Sequence, residues 1–292
     1  MKVKAIAPWF GGKRTMAPDI VEQLGTHTQY FEPFAGSLSV LFAKPESQKE
    51  TVCDLHGDAT NLARVLQNEG LAAELYGMAQ RTLFAEGILK DARGHLSEPF
   101  DPEDRNPQYM IARAYWFFVA SWMGRNGMSG LKTIDYSMAI RYTNNGGSPT
   151  VRWFNALESL PAWHRRLRNV VILNRDCFPI IEKFEDSSKT AVYVDPPYSM
   201  DTRKKGQYLH DFESHDDHVR LSELLNRFEH ARIVVSYYDD PRIRSLYSGW
   251  TFLEKTMFKR LSSVAKSEPV ASEAPEVLII NGPAYGLQQS LF

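Results

Sequence analysis

The chain is poor in cysteine: Cys53 and Cys177 are the only two in 292 residues. With no Cys-x-x-Cys pair and no dense His/Cys cluster, a disulfide scaffold and a thiolate zinc site are both excluded. Both thiols read as half-buried apolar groups of a reducing compartment. A charge excess of one sign is also missing, since 34 Lys and Arg face 35 Asp and Glu for a net charge of −1. No global basic field exists, so any phosphate contacts must come from local patches. Long hydrophobic runs are absent as well. Ala114 to Gly124, the longest, is interrupted by Ser121 and flanked by Arg113 and Arg125, well short of the roughly 20 residues that span a bilayer. The apolar stretch ahead of Pro8 is too short for the hydrophobic region of a signal peptide. A soluble cytoplasmic protein is expected. At 43% hydrophobic and 24% charged residues, the composition excludes disorder, and no internal repeat or low-complexity tract interrupts it.

What is present alternates between strand and helix. Tyr30 to Phe34 reads as a buried strand, Ala35-Gly36-Ser37 as a turn and Leu38 to Lys44 as a helix. Thr51 to Cys53 and Asp58 to Gln67 repeat the pattern, which implies a right-handed crossover and a parallel sheet. From Gly70 to about Pro161 the alternation stops. Helical segments at Leu71 to Leu89 and Tyr109 to Met123 are followed by a turn-rich stretch, in which Tyr136 to Tyr142 and Thr150 to Trp153 are predicted to pair as a hairpin across Asn144-Asn145-Gly146-Gly147. Strands resume at Asn169 to Leu173, Thr190 to Val194, Ala231 to Ser236, Trp250 to Met257 and Glu276 to Ile280. Helices are predicted at Phe178 to Phe184, Asp216 to Phe228 and Pro241 to Tyr247. Seven strands in this order make a doubly wound α/β sheet. The last two lack a helix between them and are expected to pair antiparallel at one edge. Residues 1–69 and 162–292 would form one domain, and 70–161 an insertion in it.

Three segments carry chemistry. Val192-Tyr193-Val194-Asp195-Pro196-Pro197-Tyr198 runs a hydrophobic strand straight into two prolines. The prolines have no N–H and a fixed φ, so the chain after Asp195 is stiff and its carbonyls remain free to accept. A carboxylate, a Pro196 carbonyl and the Tyr198 ring suit a planar exocyclic amine on a stacked ring; taken alone, the same letters also suit a rigid turn with a capping Asp. Glu32-Pro33-Phe34-Ala35-Gly36-Ser37 is a Gly turn at the end of the first strand, where open α/β sheets bind ligands. It lacks Gly-x-Gly-x-x-Gly, so no dinucleotide pyrophosphate is indicated, while Asp54 ends the next strand where ribose hydroxyls would donate to an acid. Upstream, in Pro8-Trp9-Phe10-Gly11-Gly12-Lys13-Arg14, the Gly-Gly bend admits a close ligand, Trp9 offers a wall and Lys13 can pair with a carboxylate.

Together these segments resemble the Dam-like amino-methyltransferases, which methylate adenine N6 in DNA using S-adenosylmethionine. The resemblance covers nearly the whole chain, in the motif order of the subgroup whose recognition insertion precedes the catalytic motif. It implies a Rossmann-like methyltransferase sheet with a mainly helical target-recognition insertion at 70–161. It also implies Asp195, Pro196, Pro197 and Tyr198 as catalytic motif, and Trp9, Lys13, Phe34, Gly36, Asp54, Asp176 and Asp195 as the cofactor site. Direct displacement of methyl onto a base flipped out of double-stranded DNA follows, with no metal, no membrane and no obligatory protein partner, in the cytoplasm of a bacterium or phage-infected host. Loop 199–212, with Arg203, Lys204, Lys205, Tyr208 and Phe212, would order around the base. Arg125, Asn126, Arg141, Asn144 and Arg152 are the expected DNA contacts, supported by Lys132, Arg165, Arg166 and Arg168 and interleaved with Tyr136, Tyr142 and Trp153. His210, His215 and His218 are expected at a polar surface. The Pro-Pro-Tyr clamp also suits cytosine N4, an RNA adenine or a protein amide, and a non-catalytic DNA-binding module is the alternative from another class.

Overall fold

A computed structural model describes residues 3–125, 129, 137–142, 147–198, 212, 214–259 and 272–286, with the side chains of 255–259 and 272–275 excepted. In chain order the elements are α1 (Ala17–Leu24), β1 (Gln29–Glu32), α2 (Ser39–Ala43), β2 (Lys49–Cys53), α3 (Gly57–Gln67), α4 (Glu69–Gln80), α5 (Glu86–Ser97), α6 (Pro107–Met123), α7 (Pro149–Leu157) and α8 (Leu160–Leu167). They continue with β3 (Val170–Leu173), α9 (Phe178–Ile181), β4 (Thr190–Val194), α10 (His215–Leu225), β5 (Arg232–Tyr238), α11 (Pro241–Leu246), β6 (Thr251–Lys259) and β7 (Ser272–Ile280). The seven strands form one sheet of order β3-β2-β1-β4-β5-β7-β6. The first five are parallel, and β7 runs antiparallel to both β5 and β6, the mixed sheet with an antiparallel edge that the pattern predicts.

Period-2 alternation divides the strand side chains between two cores. Tyr30, Val52, Tyr193, Val234 and Leu278 face the larger layer, built from α1 to α8. Their neighbours Phe31, Cys53, Val192, Ile233, Val277 and Ile279 face the smaller layer of α9, α10 and α11. A one-residue slip in any strand would exchange these sets, which is how the two-sided apolar pattern specifies the register. Strand order reverses between β1 and β4, and their carboxyl ends open there, which is where an open α/β sheet accepts a ligand.

Several sequence expectations need correction. The predicted helix Leu71 to Leu89 is two helices, α4 and α5, parted where Thr82 Oγ1 turns back to the Met78 carbonyl at 2.9 Å and meets Tyr115 Oη at 2.8 Å. The second arm of the predicted hairpin, Thr150 to Trp153, is helical in α7. Ser148 Oγ caps it by accepting from Val151 N at 3.3 Å, and Pro149 occupies the first turn, a helix-start signature that reads as a loop when Ser-Pro follows glycines. In the first arm, Met138 makes an isolated bridge with Gly124; Tyr136 and the tip residues 143–146 lie outside the described residues. Helices α1 and α8 went unpredicted, and both carry proline in the first turn. Among the described residues, no helix is long and apolar enough to cross a membrane.

Candidate active site

The Glu32–Leu38 turn at the end of β1 is held from several sides. Ala35 N donates to Cys53 O at 2.9 Å, Leu38 N to Ala35 O at 2.8 Å and Ile6 N to Ser37 O at 3.0 Å. Gly36 has φ +46°, and a Cβ on it would stand 2.9 Å from Trp9 Nε1, so no side chain fits in either conformation or space. Asp54 is the buttress of this turn. One carboxylate oxygen accepts from Gly36 N at 2.7 Å and the other from His56 N at 2.8 Å. His56 in turn caps α3 through Nδ1, at 3.3 Å from Ala59 N, and its ring meets Trp9 edge-on with centroids 5.2 Å apart.

The N-terminal segment is threaded against the larger layer by Trp163 Nε1 donating to Val3 O at 2.7 Å and Trp122 Nε1 donating to Ile6 O at 3.0 Å. Phe10 N donates to Ser129 O at 3.1 Å. These bonds deliver Lys13, which is buried, to the end of β4. Its ammonium donates to Gly11 O at 2.8 Å and stands 2.8 Å from Asp195 Oδ1 and 3.3 Å from Glu276 Oε1. It also lies 5.0 Å from the centroid of the Tyr198 ring. Lys13, expected from sequence to pair with a carboxylate, is thus paired with two carboxylates of the chain itself.

Between the two strand ends lies an open cleft, about 990 Å³ with the solvent space at its mouth included. Trp9, Lys13, Phe34, Gly36, Asp54, Asp176, Asp195, Pro196 and Pro197 all line it. Asp176, at its exposed side, accepts from Phe178 N at 3.0 Å ahead of α9. Tyr198 does not line the cleft. Its ring is buried against Tyr238, at 4.4 Å, and Tyr237, at 5.9 Å, and its hydroxyl donates to Glu276. Phe212 does reach the wall, edge-on to Phe34 at 5.8 Å; residues 199–211 lie outside the described set.

Burial pushes the Asp195 carboxyl up to about 6, with Lys13 lowering it and Glu276 raising it. Glu32 also lines the cleft and is pushed up to about 8, first by burial, although the Tyr30 hydroxyl donates to it at 2.8 Å. Glu32 and Glu276 were not predicted as site residues. The sequence signal for Glu32 is its place at the head of the Glu32–Ser37 turn, and for Glu276 an acid directly before the apolar run 277–280. Burial pushes both thiols up as well, Cys53 to about 12.

Of the expected DNA contacts, Arg125 and Arg141 are exposed and Arg152 is half-buried; Asn126, Asn144, Lys132, Arg203, Lys204, Lys205 and Tyr208 lie outside the described residues. Exposed Ile140, Tyr142, Val151 and Phe154 share this stretch of chain. Two expectations fail here. Trp153 is 1% exposed, packed on Phe118 and Phe84. Arg166 is buried, donating to Glu50 and to the Leu41 carbonyl. Trp153 sits on the inward face 153, 156, 157 of α7 and Arg166 on the inward face 160, 163, 166, 167 of α8, where the helical period leaves no access to DNA. His218, expected at the surface, is buried with Nδ1 2.9 Å from Tyr237 Oη; His210 is not described. Among the described residues, no three potential metal-ligating side chains gather.

Comparison with known proteins points to one family. The model of a family described as D12 class N6 adenine-specific DNA methyltransferase matches residues 9–261. A DNA adenine methylase of Vibrio cholerae is 25% identical over 260 residues, covering 85% of this chain and 86% of the relative. The retron Ec67 DNA adenine methylase of Escherichia coli is 24% identical over 287 residues, or 96% and 92% of the two chains. A DNA N-6-adenine-methyltransferase of Escherichia phage P1 is 24% identical over 274 residues, 91% of this chain and 34% of the longer relative.

Proposed function

The chain belongs to the D12 class N6 adenine-specific DNA methyltransferases and is a DNA adenine methyltransferase; from that premise we propose that it binds S-adenosylmethionine in the β1–β4 cleft and acts on an adenine flipped out of duplex DNA. The observation that carries this reading is the stiff Asp195-Pro196 pair of acceptors opening into the same cleft as the Gly36 turn. The cleft suits the cofactor chemically. At Gly36 only a bare backbone fits beside Trp9, Asp54 and Asp176 offer carboxylates to hydroxyl and amine donors, and Trp9, Phe34 and Phe178 are apolar walls. Bound there, S-adenosylmethionine supplies a methyl group on a sulfonium, an electrophile that needs no activation by a cation.

The protein's part is to make the adenine amine a nucleophile. Its lone pair is delocalised into the purine, so the two N–H groups must be held with nitrogen turned toward the methyl. The Asp195 carboxylate and the Pro196 carbonyl accept hydrogen bonds from those N–H groups and oppose the positive charge that builds on N6 as the sulfonium gives up its methyl. An adenine within the helix cannot reach acceptors at the base of a cleft, hence the flipped base. Tyr198 stands beside these acceptors, and stacking a base on its ring requires it to give up one of its present neighbours. Recognition of the target is assigned to the 70–161 block, whose exposed Arg125 and Arg141 can reach phosphates or base edges.

Three outcomes test this reading. Turnover at saturating substrates should fall about tenfold per pH unit as pH drops below about 6, because protonated Asp195 no longer accepts in full; a rate flat from pH 8 to 5 contradicts it. Asp54→Ala should weaken S-adenosylmethionine binding by about 1–3 kcal/mol in calorimetry, since Gly36 N and His56 N lose a charged acceptor and the turn loosens. Arg125→Ala and Arg141→Ala, assayed on a randomised DNA pool, should either relax site preference or weaken all sites alike, with cofactor affinity unchanged. If both variants keep parental preference and DNA affinity, recognition lies elsewhere.

A further inference from the structure

Glu276 is buried in β7, two strands from β4 in the sheet, and followed by the wholly apolar run 277–280. A carboxylate is expensive at such a position unless it is paired, and the partners identified for it belong to the site. Its Oε1 accepts the Tyr198 hydroxyl and lies 3.3 Å from the Lys13 ammonium, which is itself 2.8 Å from Asp195 Oδ1. Three distant pieces of chain, the N-terminal bend, the end of β4 and the middle of β7, thereby close on one another. Two carboxylates share one ammonium, leaving an excess negative charge beside the acceptor.

We propose that Glu276 is a positioning residue for methyl transfer, anchoring Tyr198 by its hydroxyl and fixing Lys13 so that the Asp195 carboxylate is presented to the amine. The proposal rests on the reading of Asp195 as the amine acceptor. Glu276 acts through its neighbours and touches neither adenine nor cofactor. Its negative charge also keeps Asp195 proton-hungry, which strengthens the hydrogen bond that Asp195 accepts as positive charge develops on N6. The charged and titratable groups facing this cluster are Lys13 from the N-terminal bend, Tyr193 and Tyr198 from β4 and its extension, Tyr237 and Tyr238 from β5, and Glu32 from β1. In β6 the register partner of Glu276 is Lys255.

Glu276→Gln keeps the shape and an acceptor for Tyr198 while removing the charge. In the cofactor-free protein, carbon-13 NMR of the Asp195 carboxyl should then titrate lower by about half a pH unit or more, and the acid limb of kcat should move the same way. Glu276→Ala, which also removes the β7 acceptor of the Tyr198 hydroxyl, should lower kcat by about tenfold or more, the scale of a small misplacement, with KM for S-adenosylmethionine within about twofold of the parent. Glu276→Asp should restore the parental limb. An unmoved Asp195 titration in Glu276→Gln, or a Glu276→Ala loss expressed wholly in KM, overturns the proposal. Asp195→Asn runs in parallel. If it is slow while the Glu276 variants match the parent, only this inference fails; if it turns over at the parental rate, the reading of Asp195 fails and takes the inference with it.

Discussion

Asp195→Ala should methylate DNA at least about 10² times more slowly than the parent while remaining folded. The carboxylate ends β4 at the cleft, with its side chain 20% exposed and its weight carried by an ion pair to Lys13, so truncation leaves no hole in either core. What is lost is an acceptor that matters more as the amine becomes cationic than when the base first binds. Losing one such preorganised partner typically lowers turnover by about 10² to 10³, or roughly 2.7–4 kcal/mol in the barrier. Because the interaction strengthens along the reaction, kcat should carry the loss and KM for DNA should change little. Circular dichroism and thermal unfolding beside rapid-quench methyl transfer separate the two effects. A folded variant within threefold of the parental rate would return Asp195-Pro196-Pro197-Tyr198 to the status of a rigid turn.

The sheet was legible because parallel strands covered on both faces read as short apolar runs. Thr190–Val194, buried throughout, is located to the residue. The Gly36 turn and Asp195 each read as carboxyl strand ends, while the strand order that sets them side by side comes from the structure. Sequence could not place Glu276. Its meeting with Lys13 depends on β7 inserting between β5 and β6, a long-range outcome no local pattern encodes. Lys13 reads correctly as a partner for a carboxylate, but which carboxylates was not legible, since they arrive from residues 195 and 276. The errors at Trp153 and Arg166 have another source. Basic and aromatic letters in a turn-rich stretch read as surface, but the helical period of α7 and α8 turns both inward. Arg166 there meets an acid on β2, Glu50.

That acid carries the largest stability effect expected in the molecule. Glu50 is held between Lys44 and Arg166, and all three side chains are at most 9% exposed. Lys44 also donates to Pro45 O at 2.7 Å and to Ser47 Oγ at 2.9 Å, and lies 4.5 Å from the Tyr30 ring centroid. Arg166 adds a bond to Leu41 O at 3.0 Å, joining α8 to α2 across the start of β2. Burial alone would raise the Glu50 pKa, but hydrogen bonds from Arg166 and Lys44 outweigh it and hold the carboxyl below its ordinary value. A depressed carboxyl contributes stability above its unfolded pKa and loses it as pH falls through the folded value, so the Glu50 carboxylate favours the native state at neutral pH and loses that contribution in acid, while burial, which lowers the Lys44 pKa, opposes part of it. Glu50→Gln strands two buried cations without a counter-charge, and removing one partner from such a group costs about 3–5 kcal/mol. Urea unfolding at pH 7 should register that loss in the midpoint, with the denaturant slope unchanged. Replacing all three charges by apolar side chains of similar volume should recover most of it, because no unpaired charge remains. A Glu50→Gln midpoint equal to the parent's would mean that water reaches Lys44 and Arg166, and that the cluster is not the closed ion triad its hydrogen bonds describe.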